Sequence, residues 1–242
     1  KRVIAAMLTA LMAVTFTANT AVSVYATGVT ATENAQTIDA QSTDAQALTP
    51  EEQKAQELQQ VYDMPVESNG YKDWPQGPGT YGEAGIVMEV GTGAILYAKN
   101  IDAHEYPASI TKVLTALVAL ENGQLTDNVT FSHDSVAFLQ RGDSSVGLKE
   151  GNVITLDQAM HAMLLASANE AAYAIGESVG VNAGHDYNWF IEQMNSRCKE
   201  LGGENSNFAN TNGLHDPNHY TCARDMALIG RCLLYTSDAA DD

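Results

Sequence analysis

Basic residues are scarce in this chain: 12 lysines and arginines stand against 30 aspartates and glutamates, a formal charge of −18. A phosphate-binding surface needs clustered cations, so the balance argues against nucleic acid or an anionic membrane as an electrostatic partner. Its simplest consequence is solubility. Cysteine is equally sparse, and Cys198, Cys222 and Cys232 give neither metal-ligand spacing nor a paired framework, leaving open whether Cys198 and Cys222 pair. The six histidines add no metal site. The closest pair, His215 and His219, is split by Pro217 and cannot present one helical face, so that stretch reads as a loop. No metal and no cofactor are expected. A Gly-x-Ser-x-Gly elbow is also absent, which argues against a Ser-His-Asp hydrolase.

Long apolar runs are missing as well. Val3 to Val14, preceded by Lys1 and Arg2, is too short and too rich in threonine for a membrane span, and small or β-branched residues follow up to Val24-Tyr25-Ala26. Residues 1–26 therefore read as a secretory signal peptide without its initiator Met, which predicts an exported protein. From Thr27 to Leu48 there is almost nothing to bury, and the segment reads as a tether. Residues 27–79 as a whole are expected to be a disordered or irregular extension. Within it, Thr49-Pro50-Glu51-Glu52 is a capping box with Pro at the first helical position, predicting a short helix to about Tyr62.

What is present is a globular composition, 45% hydrophobic over 242 residues, enough for one large domain or two small ones. Ala84 to Val90 and Ala94 to Lys99 are β-rich runs joined by Gly91-Thr92-Gly93, a hairpin signature. Ile110, Val113, Leu114, Leu117 and Val118 keep helical spacing until Asn122-Gly123 stops them. Val129 to Phe131 and Val153 to Thr155 read as short strands flanking a loop that holds Arg141-Gly142-Asp143. Leu156 to Leu164 is an amphipathic helix broken at Ser167-Ala168-Asn169, ahead of an alanine-rich helix from Glu170 to Val179. Helices from about Tyr187 to Leu201 and from Cys222 onward complete the pattern.

Ser109 and Lys112 open the first of these helices one turn apart, so they share a face and can touch. That is the minimum geometry for a serine nucleophile with a lysine base. The helix start also favours developing negative charge. A second Ser-x-x-Lys, Ser196 to Lys199, falls in a run whose apolar stripe is Phe190, Met194, Cys198 and Leu201, so its Ser and Lys read as a solvated face. Ser167 and Asn169, at a joint between helices, serve equally well on sequence grounds as site residues or as helix caps.

In combination, Ser109-Ile110-Thr111-Lys112, Ser167-Ala168-Asn169, the hairpin Ile86 to Lys99 and Asn210 through Met226 resemble the serine D-alanyl-D-alanine carboxypeptidases, the low-molecular-mass penicillin-binding proteins of peptidase family S11. The resemblance runs from about Glu83 to Arg231. It implies an α+β fold of the β-lactamase/transpeptidase type, an antiparallel sheet with a helical subdomain. It also implies removal of the terminal D-alanine of peptidoglycan stem peptides through an acyl-enzyme, acylation by penicillin and other β-lactams, and a place in the cell wall or on the outer face of the cytoplasmic membrane. The roles implied are Ser109 as nucleophile and oxyanion donor through its N–H, Lys112 as base, Asn169 orienting Lys112 and the substrate amide, and Ser167 relaying a proton. For Lys112 to act, its pKa has to fall toward about 7 to 8 from about 10.4.

The family's third motif, Lys-Thr-Gly, does not occur; Lys149-Glu150-Gly151 precedes Ser167 and has Glu in the middle place. Cys232 to Asp242 reads as the translation of a sequencing adapter, which makes residues 80–231 a partial catalytic domain with an incomplete sheet and Cys232 a foreign residue. Little activity is then expected of residues 27–242 alone, and membrane anchoring is left to an absent C-terminal segment. A β-lactamase fits less well, because Glu204 is followed by Asn205-Ser206-Asn207 rather than by x-x-Leu-Asn. A cross-link endopeptidase of the same superfamily and a non-catalytic penicillin sensor are the alternatives that the sequence leaves open.

Overall fold

The computed structural model describes residues 48–238; the expected leader and most of the expected tether lie outside them. Helix α1 (Pro50–Tyr62) begins where the capping box predicts, with the Glu52 N–H donating to Thr49 Oγ1 at 3.3 Å and the Thr49 N–H donating to Glu52 Oε2 at 2.8 Å. None of its residues is buried.

Strands β1 (Gly85–Met88) and β2 (Ile95–Lys99) form the predicted antiparallel hairpin, in the register Gly85↔Lys99 and Val87↔Tyr97 with a bulge before Met88. The Glu89 carboxylate ties its turn by accepting from the Gly91 and Thr92 N–H groups. The opposite edge of β2 is covered by side chains of the lead-in segment. Trp74 Nε1 donates to Leu96 O at 2.8 Å, Ser68 Oγ accepts from the Ala98 N–H at 3.2 Å, and Glu67 Oε1 accepts from the Asn100 N–H at 3.1 Å. These are alternate residues on the edge facing away from β1, so side chains stand where a third strand's backbone would be. The fully buried Lys99 completes the attachment, its Nζ donating to Val61 O at the end of α1 and to Thr80 O. The lead-in is thus irregular in path and fixed in place.

Helix α2 (Thr111–Asn122) is the axis of the larger part. Its first nine residues are all buried, including the polar Thr111, Lys112 and Thr115. A helix apolar on nearly every side has to be surrounded. Helices α4 (Leu156–Leu165), α5 (Asn169–Asn182), α6 (Tyr187–Glu200) and α7 (Ala223–Asp238) supply the surroundings, with Leu114, Leu117, Met160, Met163, Ile175, Phe190, Met194, Ile229 and Leu233 in one core. Strands β3 (Asn128–Thr130) and β4 (Val153–Thr155) form a second antiparallel pair, adding Val129 to that core.

Between those strands lies a five-residue helix, α3 (His133–Ala137), where the sequence reading has only a loop. It begins as Ser132 Oγ accepts from the Ser135 N–H. Five residues are too few to display a helical period, which is why pattern reading passes over it. The last helix reaches back to the hairpin, with Arg231 donating to Val90 O and Gly91 O and the Tyr235 hydroxyl to Val90 O.

Candidate active site

Ser109 lies in a 3₁₀ turn, Ala108–Ile110, that runs directly into α2. Ala108 has φ +47°, an uncommon conformation for a residue with a side chain, and it swings the chain so that Ser109 is exposed at the head of a buried helix. The turn is braced by Gly213: a Cβ there would come within 1.7 Å of Ala108 O, and its φ is +84°. Only glycine fits that position.

Lys112, one turn on, has 2% of its surface exposed. Its Nζ donates to Ser109 Oγ at 3.1 Å, to Asn169 Oδ1 at 2.9 Å and to Asn212 O at 2.7 Å. Burial lowers its pKa to about 8 against an opposing pull from Glu170. At pH 7 about one lysine in ten is then neutral, against about one in several thousand at the ordinary value. The partners also decide where the lone pair of a neutral amine points. Asn169 Oδ1 and Asn212 O can only accept, so they hold its two N–H bonds and leave the lone pair to Ser109. The Ser109 hydroxyl is then the donor in that contact.

The joint between α4 and α5 brings in the remaining pair. Ser167 has φ +54°, and its Oγ donates to Ser109 Oγ at 2.9 Å. The capping alternative fails here, since the N-cap of α5 is Ala168, with no side-chain cap bond. Ser167 and Asn169 instead direct their side chains to Ser109 and Lys112. The neighbouring Glu170 is fully buried. Its Oε1 accepts from Ser145 Oγ and from the Val146 and Gly147 N–H groups, while Ser144 O accepts from the Asn169 N–H. These bonds fasten the loop after Arg141-Gly142-Asp143, whose triplet is ordinary turn structure with Asp143 Oδ2 accepting from the Gln140 N–H.

All four residues singled out from sequence, Ser109, Lys112, Ser167 and Asn169, meet in one cluster within hydrogen-bond distance. The second Ser-x-x-Lys does not join it; Ser196 and Lys199 are exposed on α6, with Phe190, Met194 and Cys198 buried on the other side. Cys198 and Cys222 are buried free thiols with raised pKa values, about 11 and about 12, each chiefly through burial. The Asn212 carbonyl is the member of the cluster that sequence reading missed, because a backbone oxygen has no residue type to announce it.

Comparison with known proteins assigns the chain to a family. The sequence profile of the D-alanyl-D-alanine carboxypeptidases of peptidase family S11 matches residues 75–239. The chain belongs to that family. Among curated members it is 35% identical over 150 residues to D-alanyl-D-alanine carboxypeptidase DacA of Haemophilus influenzae, covering 60% of this chain and 37% of that protein. It is 33% identical over 157 residues to DacF of Bacillus subtilis, covering 63% and 39%. It therefore spans well under half the length of these carboxypeptidases. The crystal structure of DacD from Francisella tularensis superposes with a TM-score of 0.57 at 31% identity, over 69% of this chain and 38% of that one. The Streptomyces K15 DD-transpeptidase gives 0.58 at 29%, over 63% and 60%. The fold is accordingly α+β of the penicillin-binding type, represented by the β1–β2 hairpin and the helices packed around α2.

Proposed function

We propose that this chain carries the nucleophile side of a serine D-alanyl-D-alanine carboxypeptidase acting on peptidoglycan stem peptides and acylated by penicillin. The observation that carries the reading is the buried Lys112 whose two acceptor-only partners turn its lone pair toward Ser109. Ser109 Oγ attacks the carbonyl carbon between the two D-alanines as its proton passes to Lys112 Nζ. The tetrahedral oxyanion is met by the Ser109 N–H. The C–N bond then breaks, and the proton leaves Lys112 for the departing D-alanine nitrogen by way of Ser167, whose hydroxyl is already bonded to Ser109 Oγ. Water, deprotonated by Lys112, next attacks the Ser109 ester, releasing the shortened peptide and restoring the serine. Asn169 keeps Lys112 in register throughout and offers its amide nitrogen to the substrate.

Labelling of the full-length protein with a fluorescent penicillin tests this directly. Ser109→Ala is expected to abolish the covalent label, and undiminished labelling of that variant overturns the assignment. The rate of labelling is expected to rise with pH, about tenfold per unit below a midpoint near 8, because only the neutral lysine accepts the proton. Lys112→Arg should lose labelling at every pH, since a guanidinium stays protonated.

A second outcome of the same chemistry is favoured by the likeness to a DD-transpeptidase: an amine in place of water would resolve the acyl-enzyme. Product analysis with and without an added glycine acceptor separates the two. The setting is extracytoplasmic on this reading, resting on the leader at residues 1–26. Among the described residues no helix is long and apolar enough to cross a membrane.

A further inference from the structure

The loop Phe208–Leu214 does more than offer one carbonyl. Thr211 O accepts from Thr115 Oγ1 at 2.7 Å, Asn212 O accepts from Lys112 Nζ, and Gly213 lies against Ala108 O. The loop is therefore joined to the first turns of α2, and its exact seating decides where the third acceptor of Lys112 stands. A buried histidine sits at that junction. His219 has 2% of its surface exposed, its Nδ1 accepts from the Ala209 N–H at 3.0 Å, and its Nε2 is 2.7 Å from Thr111 Oγ1. A backbone N–H can only donate, so Nδ1 carries the lone pair and the proton is on Nε2, which donates to Thr111.

We propose that His219, in this neutral tautomer, is a positioning residue for the reaction: it clamps Thr111, at the head of α2, to Ala209, in the loop that brings the Asn212 carbonyl to Lys112. The clamp requires one acceptor and one donor nitrogen. A second proton would put an N–H against the Ala209 N–H and break it. Burial favours the required form, lowering the pKa of His219 to about 4 although Asp216 pulls the other way. Phe208 packs against the imidazole with the two rings nearly perpendicular, their centroids 5.7 Å apart. The charged group acting on Lys112 is Glu170, across the cluster from this loop. An ordinary buried histidine that merely satisfies its neighbours would affect stability alone. A positioning residue affects the proton affinity of Lys112, because burial is the main cause of its depression and a loosened loop admits water.

The inference rests on the role proposed above for Lys112, and its test can fail separately. The chain labelled with ¹³Cε-lysine and ¹⁵N-histidine is titrated by NMR, alongside penicillin labelling against pH. The wild type is expected to show His219 protonated on Nε2 at neutral pH. In His219→Leu the Lys112 midpoint is expected to rise by at least about half a pH unit, a loss of about threefold or more in neutral amine at pH 7. In His219→Gln, whose carboxamide again offers one acceptor and one donor, most of that shift should be reversed. If His219→Leu does not fold, Thr111→Val removes the other end of the clamp and carries the same expectation. An unchanged Lys112 midpoint in a folded His219→Leu or Thr111→Val protein, or a wild-type proton on Nδ1, overturns the proposal. Absence of penicillin labelling in the full-length wild type, with the Lys112 midpoint still responding to these variants, would instead remove the proposed function and leave the clamp standing.

Discussion

Helices α1 and α2 are nearly equal in length, 13 and 12 residues, and are stabilised in opposite ways. The first buries nothing and is held at its ends, by the capping box at Thr49 and by Lys99 on the Val61 carbonyl. The second has no side-chain cap and buries nine consecutive residues. Capping and surface attachment are worth about 1 kcal/mol apiece, whereas each large apolar side chain in a core is worth about 2 to 5. The difference matches the work each helix does. On the proposed reading α2 presents a nucleophile and a desolvated base and has to be immobile, and packing on all sides provides that. A helix that only anchors the entry of the chain can rely on a few polar contacts.

The contrast can be probed in order of expected effect. Leu117→Ala in α2 should cost about 3 kcal/mol in urea unfolding, since Leu117 is fully buried. Leu58→Ala in α1 should cost under about 0.5, its side chain being exposed. Equal losses would erase the distinction. Ser68→Ala is expected to speed hydrogen exchange at the Ala98 amide about fivefold, the equivalent of one net hydrogen bond of about 1 kcal/mol, without altering penicillin labelling. Unchanged exchange would mean that the lead-in segment shields the edge without bonding to it. Thr49→Ala should reduce helicity locally at α1, by about 1 kcal/mol in amide exchange over residues 51–54, and leave global unfolding unmoved.

What was readable in the sequence follows the same division. Features that repeat along one element were legible: the box at Thr49, the stop at Gly123, the pairing of Ile86 to Lys99, and the break at Ser167 to Asn169. Ser109 and Lys112 were legible as a pair because their residue types and one-turn spacing are themselves a chemistry, whereas Ser167 and Asn169 stood open between site and cap until the family resemblance was added. Features made by single contacts between distant stretches were not. The strap of Glu67, Ser68 and Trp74 on β2 spans separations of more than 20 residues with no period. The Asn212 carbonyl has no identity of its own. His219 looked like part of a loop because Pro217 excludes a helix, and its burial comes from Thr111 and Phe208, which lie far from it or have no motif.

The covered edge of β2 has a further consequence for assembly. With Leu96 O and the Ala98 and Asn100 amides already engaged, a strand arriving from elsewhere in the polypeptide, or from another molecule, would find no vacant ladder on that side. Among the described residues β1 has no strand on its other side. The hairpin is thus a one-sided template: the sheet can lengthen past β1 and is terminated at β2.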